Sequence, residues 1–542
     1  MKSQTHLEKL LRFGLAAALW LLADGLRPAI AAEPNPELRL RALVQSLPAR
    51  PKDARQRDEW NTLRFYARKM QYAARTYPPS IERQLLLDNH LRQAERIRDA
   101  LRENRMPPVV YGLREEAYYC DTDSSYQPFL RYLPEAARKG NPLPMLVYLH
   151  GYSPFLDIVN WSRLDPAIIA FAEKDNFLIV APFGRSNTDF QNIGELDVLR
   201  AIEEMKRRYA VDAERIVLSG FSMGGMGVWT IGAHHPDAFA GLLPIAARGD
   251  YYFWHNVRRE ALPAYKRDLI DAEFGYSMLD RLKNTSVFAL HGSADRLIPV
   301  QEGRHMAQAV RRVNSHAVYV ELEGEDHWIT EAAFERDDLQ KWLRTRRRPN
   351  PTSALQYDTS LLPSPVGPVK RAFLSPFIFV CADGAPEPSA RMRQAAREWE
   401  RYAKASPRTA LEQTVKKEDL ARYNVFLFGE PETSALIRTV FETSPVKAEG
   451  KRFKVGDRTF SREGHGLYVV RPSPWNSDKL AVVQCGIPWG EGLPENHKYD
   501  FLPDYIVYGT DRDPDGSNTA LCAGFFDKTG ALDMKRQHRL EE

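Results

Sequence analysis

Apolar residues early in the chain recur at steps of three and four. Trp60, Leu63, Ala67, Met70, Ala74 and Tyr77 form one stripe, which predicts an amphipathic helix. Pro78-Pro79 ends it, and Ser80 can cap a second helix with a stripe through Leu87, Leu91, Ala94, Ile97 and Leu101. Both belong to a charged helical segment over residues 32–107, expected to pack as a hairpin on the domain that follows. Over residues 108–348 the pattern changes. Short apolar runs at Met145–Leu149, Phe177–Ala181, Ile216–Ser219, Val287–Leu290 and Ala317–Leu322 alternate with amphipathic stretches such as Asp197–Arg208 and Gln301–Val313. That alternation predicts an α/β class, a doubly wound and mostly parallel sheet with helices on both faces. Glu115–Tyr132 alternates enough to add antiparallel edge strands.

Residues 349–370 are rich in Pro and Ser and read as a linker. A second, smaller α/β pattern over residues 371–542 follows. Strands are predicted at Phe377–Val380, Val425–Phe428 and Leu480–Val483, and helices at Ala390–Ala403 and Ser434–Phe441. It holds neither a G-x-G-x-x-G fingerprint nor a Walker sequence, so its pattern gives a fold class and no chemistry.

Bulk composition narrows the function classes. With 542 residues the chain is too long for one ordinary core. Its 75 basic and 71 acidic side chains are interspersed, giving a net charge of +4. No basic run is interleaved with aromatics, so nucleic acid is not an expected partner. Lys2, Lys9 and Arg12 precede an apolar run from Phe13 to Ala23, and Ala29-Ile30-Ala31 fits a small-residue cleavage site. The run is about half the roughly 20 residues of a membrane helix, so a cleaved signal peptide over residues 1–31 is expected, with no stable membrane span. The expected compartment is the periplasm or the exterior. It permits disulfides among Cys120, Cys381, Cys485 and Cys522 in pairings the sequence leaves open, but Cys381 and Cys485 end strand-like runs and fit small buried thiols as well as bridges. No zinc-binding spacing occurs, and neither a metal nor a cofactor is expected. Oligomeric state is left open.

The chemistry centres on Gly220-Phe221-Ser222-Met223-Gly224. A lone G-x-S-x-G is weak, but this one follows the strand Ile216–Ser219 and opens into a stretch able to start a helix. Strand, sharp turn and helix are what a nucleophile elbow demands. Gly220 and Gly224 are needed because side chains there would meet neighbouring backbone, and the turn lifts the Ser222 hydroxyl clear of the sheet. A serine needs a base and an orienting acid, which in this fold follow in the order acid, histidine. Asp295, in His291-Gly292-Ser293-Ala294-Asp295, follows the strand Val287–Leu290, and His327 follows Ala317–Leu322. Asp326 and Glu325 are rival acids, disfavoured because a neighbour of His327 seldom reaches its far ring nitrogen. His150 and His291 read as structural. The oxyanion needs two N–H donors: Met223 is one, and Tyr152 after the strand Met145–Leu149 is the other, with Gly151 and Ser153 as alternatives. Tyr152, Phe155, Trp161, Tyr251, Tyr252 and Trp254 are aromatic residues near the expected mouth; Tyr152, Trp161 and Trp254 are the substrate-binding candidates among them, with core or lid packing as the competing role.

With Leu149-His150-Gly151, Val211-Asp212-Ala213-Glu214-Arg215-Ile216, Gly220-Phe221-Ser222-Met223-Gly224-Gly225, His291-Gly292-Ser293-Ala294-Asp295 and His327, the sequence resembles the catalytic domain of the prolyl oligopeptidase superfamily and the related feruloyl and acetyl esterase-type α/β-hydrolases. The resemblance covers about residues 110–345. It implies an α/β-hydrolase fold, with Ser222, Asp295 and His327 at the triad positions. Prolyl oligopeptidases proper place a β-propeller before this domain, whereas the residues available here are mostly helical and carry no blade-length repeat. The expectation is a secreted serine hydrolase forming an acyl-enzyme on Ser222 and cleaving esters, with a small-molecule or polymer substrate. A catalytic-domain-only peptidase and a catalytically idle glycan- or peptide-binding scaffold are the alternatives.

Overall fold

The computed structural model describes residues 36–161, 163–352, 354–382 and 386–540. The expected signal peptide, residues 1–31, lies outside them. Three helices come first: α1 (Pro36–Gln45), α2 (Ala54–Thr76) and α3 (Ile81–Arg102). Asp53 caps α2 by accepting from the Gln56 N–H, and Ser80 caps α3 through the Arg83 N–H. The α3 stripe of Leu87, Leu91, Ala94, Ile97 and Leu101 is buried, as are Leu63, Ala67 and Met70 of α2. These helices lie on the first strands of the main sheet. The buried Lys69 ammonium meets the Glu115 carboxylate at 2.9 Å, and the Tyr66 hydroxyl donates to the Glu115 carbonyl.

The elements of the main domain are β1 (Gly112–Cys120), β2 (Ser125–Leu133), β3 (Leu143–Leu149), α4 (Pro166–Asp175), β4 (Leu178–Pro182), α5 (Ile193–Arg208), β5 (Val211–Phe221), α6 (Met223–His234) and β6 (Gly241–Ile245). They continue with α7 (Tyr251–Trp254), α8 (Ala264–Glu273), β7 (Phe288–Gly292), α9 (Val300–Val313), β8 (Val318–Leu322), α10 (Thr330–Phe334) and α11 (Asp337–Thr345). The sheet runs β1-β2-β4-β3-β5-β6-β7-β8. β1, β2 and β4 pair antiparallel and the rest parallel. One face is covered by α4, α10 and α11 together with the N-terminal helices, and the other by α5, α6 and α9. Burial on both faces is why the central strands read as unbroken apolar runs. One strand, β6, is absent from the sequence expectation. Its Pro244 reads as a strand breaker, and β6 pairs with β7 only at Ile245–Leu290 plus an isolated bridge from Leu242 to Val287.

The C-terminal domain holds more strands than expected. Its elements are β9 (Phe377–Cys381), α12 (Pro386–Ala403), β10 (Arg408–Leu411), α13 (Lys417–Arg422), β11 (Asn424–Phe428) and α14 (Ala435–Glu442). A three-stranded meander follows, β12 (Val446–Glu449), β13 (Arg452–Val455) and β14 (Arg458–Ser461), and then β15 (Gly466–Ser473), β16 (Asn476–Gly486), β17 (Tyr505–Arg512), β18 (Asn518–Gly524) and β19 (His538–Arg539). The large sheet, β10-β9-β11-β16-β15-β17-β18-β19, is parallel from β10 to β16 and antiparallel from there on.

The stretch expected to be a linker is packed down: Leu355, Ser364, Val366, Val369 and Lys370 are buried. The two domains share a core in which Ile193, Met226, Tyr265 and Phe274 pack with Phe373, Trp399, Phe426 and Phe501. Beside it the fully buried Arg185 guanidinium bonds Asp123 at 2.6 Å, Asp197 at 2.7 Å and the Ala403 carbonyl across the domain boundary. Cys120, Cys381, Cys485 and Cys522 are buried, and none of them is in a disulfide. Among the described residues no helix is long and apolar enough to cross a membrane.

Candidate active site

In a parallel sheet the chain leaves every strand at the same edge, so the segments after β3, β5, β6, β7 and β8 gather at one rim. Ser222 follows β5 with φ 57° and ψ −116°, and α6 starts at the next residue. This left-handed backbone is costly for a residue with a Cβ, and the Ser222 N–H donation to the Ile245 carbonyl at 2.9 Å helps hold it. The turn closes only without side chains at its flanks. A Cβ on Gly220 would lie 2.3 Å from the Gly224 carbonyl oxygen, and one on Gly224 would lie 2.0 Å from that of Leu149.

Three loops deliver three functional groups to one line. His327 Nε2 is 3.0 Å from Ser222 Oγ, and His327 Nδ1 is 2.7 Å from Asp295 Oδ2. The other Asp295 oxygen accepts the N–H groups of Leu297 and Ile298, each at 2.9 Å. Burial pushes the Asp295 carboxyl up, but hydrogen bonds from His291, then from His327 and the Ile298 N–H, hold it well below the usual carboxylate range. It is therefore ionised wherever it faces an imidazolium. The rival acids lie elsewhere: the Asp326 carboxylate accepts from the Trp328 N–H, and Glu325 is exposed.

His291 sits behind the acid. Its Nε2 lies 2.9 Å from the Ile298 carbonyl oxygen and 3.3 Å from Asp295 Oδ2, so it positions the carboxylate and does not reach the serine. His150 is half-buried, with Nε2 3.1 Å from the Phe183 carbonyl oxygen and its ring against Phe190. Burial lowers its pKa, which fits a neutral structural imidazole.

Met223 opens α6, so its N–H is one of the first-turn donors that helix geometry leaves free. On the β3 side, Gly151 approaches the nucleophile closely: a Cβ there would lie 3.5 Å from Ser222 Cβ. The Ser153 N–H is engaged by the Asn187 side chain at 3.2 Å, whereas the Tyr152 N–H makes no hydrogen bond among the described residues. The N–H groups of Tyr152 and Met223 are thus both without a hydrogen-bond partner among the described residues.

The aromatic candidates separate. Tyr152 is 55% exposed and Phe155 81%. Trp161 is corrected: at 4% exposure it belongs to the core, with its ring 5.3 Å from that of Phe183, and it has no surface to offer a substrate. Trp254 lies beneath the Arg248 guanidinium at 4.6 Å. Tyr251 and Tyr252 are half-buried, with Tyr251 against Phe274 and Phe501 of the shared core. Sequence reasoning missed Trp328, which is 56% exposed with its ring 5.5 Å from both His327 and Phe221. Its place next to His327 was the available signal. Among the described residues, no group of three His, Cys, Asp or Glu is arranged to hold a metal.

The chain is similar to several known proteins. Residues 193–344, which include Ser222, Asp295 and His327, match the prolyl oligopeptidase family. The chain is 34% identical over 87 residues to a bifunctional acetylxylan esterase/xylanase of Neocallimastix patriciarum, covering 15% of this chain and 12% of that protein. It is 22% identical over 273 residues to dipeptidyl-peptidase 5 of Porphyromonas gingivalis, covering 44% and 39%. The chain thus spans only 12% and 39% of the length of these two relatives. Among solved structures, a thermostable esterase is similar at 20% identity with a TM-score of 0.33, covering 44% of this chain and 63% of that one. An S-formylglutathione hydrolase of Staphylococcus aureus is similar at 18% identity and a TM-score of 0.35, covering 44% and 100%.

Proposed function

Starting from a prolyl oligopeptidase family match over residues 193–344, we propose that the chain is an exported serine hydrolase that cleaves ester bonds through an acyl-enzyme on Ser222. One observation carries this reading: the unbroken line Ser222 Oγ, His327, Asp295, with contacts of 3.0 and 2.7 Å. His327 Nε2 takes the hydroxyl proton as Ser222 Oγ attacks the acyl carbon, and Asp295 stabilises the imidazolium. The Met223 and Tyr152 N–H groups hold the oxyanion. His327 then returns the proton to the leaving oxygen, and the alcohol departs. Water, deprotonated by the same imidazole, releases the acid.

Export rests on the charged, apolar and small-residue pattern of residues 2–31. Esters are favoured because they are the easier acyl substrates and because the segment before the catalytic domain is a helical layer instead of a propeller. Peptide bonds form the second reading, favoured by the similarity to a dipeptidyl-peptidase. A binding scaffold would not require all three triad positions to be filled and hydrogen-bonded. The test is a parallel assay of short p-nitrophenyl esters, acetylated and feruloylated glycans and proline-containing peptides, with Ser222→Ala beside the parent. Ester turnover that falls on the order of 10⁶-fold in the variant supports the reading. Peptide cleavage without ester turnover favours the second reading, and a residual rate within tenfold overturns the role of Ser222.

A further inference from the structure

β6 lies between the strand that carries the nucleophile and the strand that carries the acid, and the segment after it packs against the nucleophile elbow. The Ile245 carbonyl holds the Ser222 N–H. Ala247 packs against the first turn of α6, where a Cβ on Gly225 would come within 2.5 Å of it. The next side chain is Arg248. Its side chain is 18% exposed and its guanidinium lies over the Trp254 ring, yet among the described residues it makes no hydrogen bond. The nearest carboxylate oxygen, on Asp189, is 3.7 Å away.

That is an unusual position for a permanently charged group with five donors. A guanidinium withdrawn from water ordinarily gains bidentate hydrogen bonds in return. The other acids nearby do not supply them. Asp250 is committed to His305 at 2.8 Å and to capping α7 through the Tyr252 N–H. Glu302 is pushed up to about 7 by burial, so it gives up much of its charge. Asp189 is itself shared, 3.6 Å from His497 of the C-terminal domain.

Resting on the acyl-transfer reading above, we infer that Arg248 receives a carboxylate of the substrate outside the scissile bond, so that the site selects acidic esters. The Trp254 ring lies 4.6 Å from the guanidinium carbon, and the Arg248 N–H groups make no hydrogen bond among the described residues. The C-terminal domain acquires a part in this selection. His497 flanks Asp189, and Phe501 packs on Tyr251 of α7 at 6.3 Å between ring centres, so the second domain braces the helix that carries Trp254.

The test compares kcat/KM for ester pairs of equal length, one member ending in a free carboxylate and the other in its methyl ester. The carboxylate is placed in the acyl part in one pair and in the alcohol part in another. The parent is expected to favour the acidic member of one pair by at least about tenfold. Arg248→Gln is expected to lower that preference by about tenfold or more, to near parity, the worth of a charged hydrogen-bonded pair. Arg248→Lys, which keeps the charge and loses the planar fork, retains an intermediate preference and guards against a misfolded first variant. A parent without acidic preference in either pair, or a preference that survives in Arg248→Gln, overturns the inference. Turnover of the neutral esters alone sinks only this step, whereas no turnover together with no fluorophosphonate labelling of Ser222 sinks the hydrolase reading beneath it.

Discussion

Replacing Asp295 by Asn keeps the shape of the side chain and removes its charge, and the surroundings dictate how the amide must sit. One carboxylate oxygen is held by two backbone donors, the Leu297 and Ile298 N–H groups at 2.9 Å each. The amide oxygen must stay there, since an NH2 group would face two donors. Its NH2 then points at His327 Nδ1, 2.7 Å away in the parent. Nδ1 must accept, so the ring proton moves to Nε2, the atom 3.0 Å from Ser222 Oγ. A protonated Nε2 donates to the hydroxyl and cannot take its proton. Holding the imidazole in the wrong tautomer costs about 10⁴-fold in kcat in triads of this kind, or about 5.4 kcal/mol of barrier. The assay is kcat for the best ester found, in Asp295→Asn and in Asp326→Asn as the neighbouring control, with unchanged circular dichroism in both. The control is expected to stay within about threefold, because its carboxylate bonds only the Trp328 N–H among the described residues. A loss below tenfold in Asp295→Asn, or an equal loss in Asp326→Asn, would refute the assignment of the acid.

Gly224→Ala places a methyl group 2.0 Å from the Leu149 carbonyl oxygen in backbone that cannot retreat; activity is expected to fall at least about 100-fold, as misplacement by an ångström can cost that much, and activity within threefold of the parent contradicts the elbow packing. Arg185→Met leaves Asp123 and Asp197 buried without their shared cation, and breaking buried pairs costs about 3–5 kcal/mol; urea unfolding reads the loss, and a cost under about 1 kcal/mol counts against the network's role in joining the domains. Burial pushes the Asp504 carboxyl up to about 7, against about 3.9 in an unfolded chain. Protonation therefore favours the folded state, so the contribution is fully present below about pH 4 and is lost as pH rises through about 7. Between pH 5 and pH 8 the urea midpoint of Asp504→Asn is expected to fall less than that of the parent; an equal fall in both shows that this carboxyl does not titrate as described.

How legible the protein was depends on whether a feature is local. The elbow is local: two glycines, a serine, and a change from apolar run to helix start announce it, and the structure shows the carbonyls that the absent side chains would strike. Asp295 and His327 were found because each immediately follows a strand-like run. Trp161 misled because a tryptophan has both an apolar body and a polar tip, and only the fold decides that it lies under Phe183 instead of at the mouth. β6 was lost to its proline. In the C-terminal domain, β15 is buried on both sides over most of its length and β17 over its first half, so they lack the alternation that marks a strand. Arg248 had no sequence signal at all. It stands in Ala246-Ala247-Arg248-Gly249, and what marks it is the absence, among the described residues, of the hydrogen bonds such a group normally makes.

The central claim is that Ser222 is the activated nucleophile. Treating the protein with a fluorophosphonate and locating the adduct by peptide mass spectrometry tests it most directly. The account predicts stoichiometric modification of Ser222, no modification in Ser222→Ala, and labelling slowed at least about 100-fold in Asp295→Asn through the tautomer effect. An unlabelled parent, or an adduct on another residue, would contradict it.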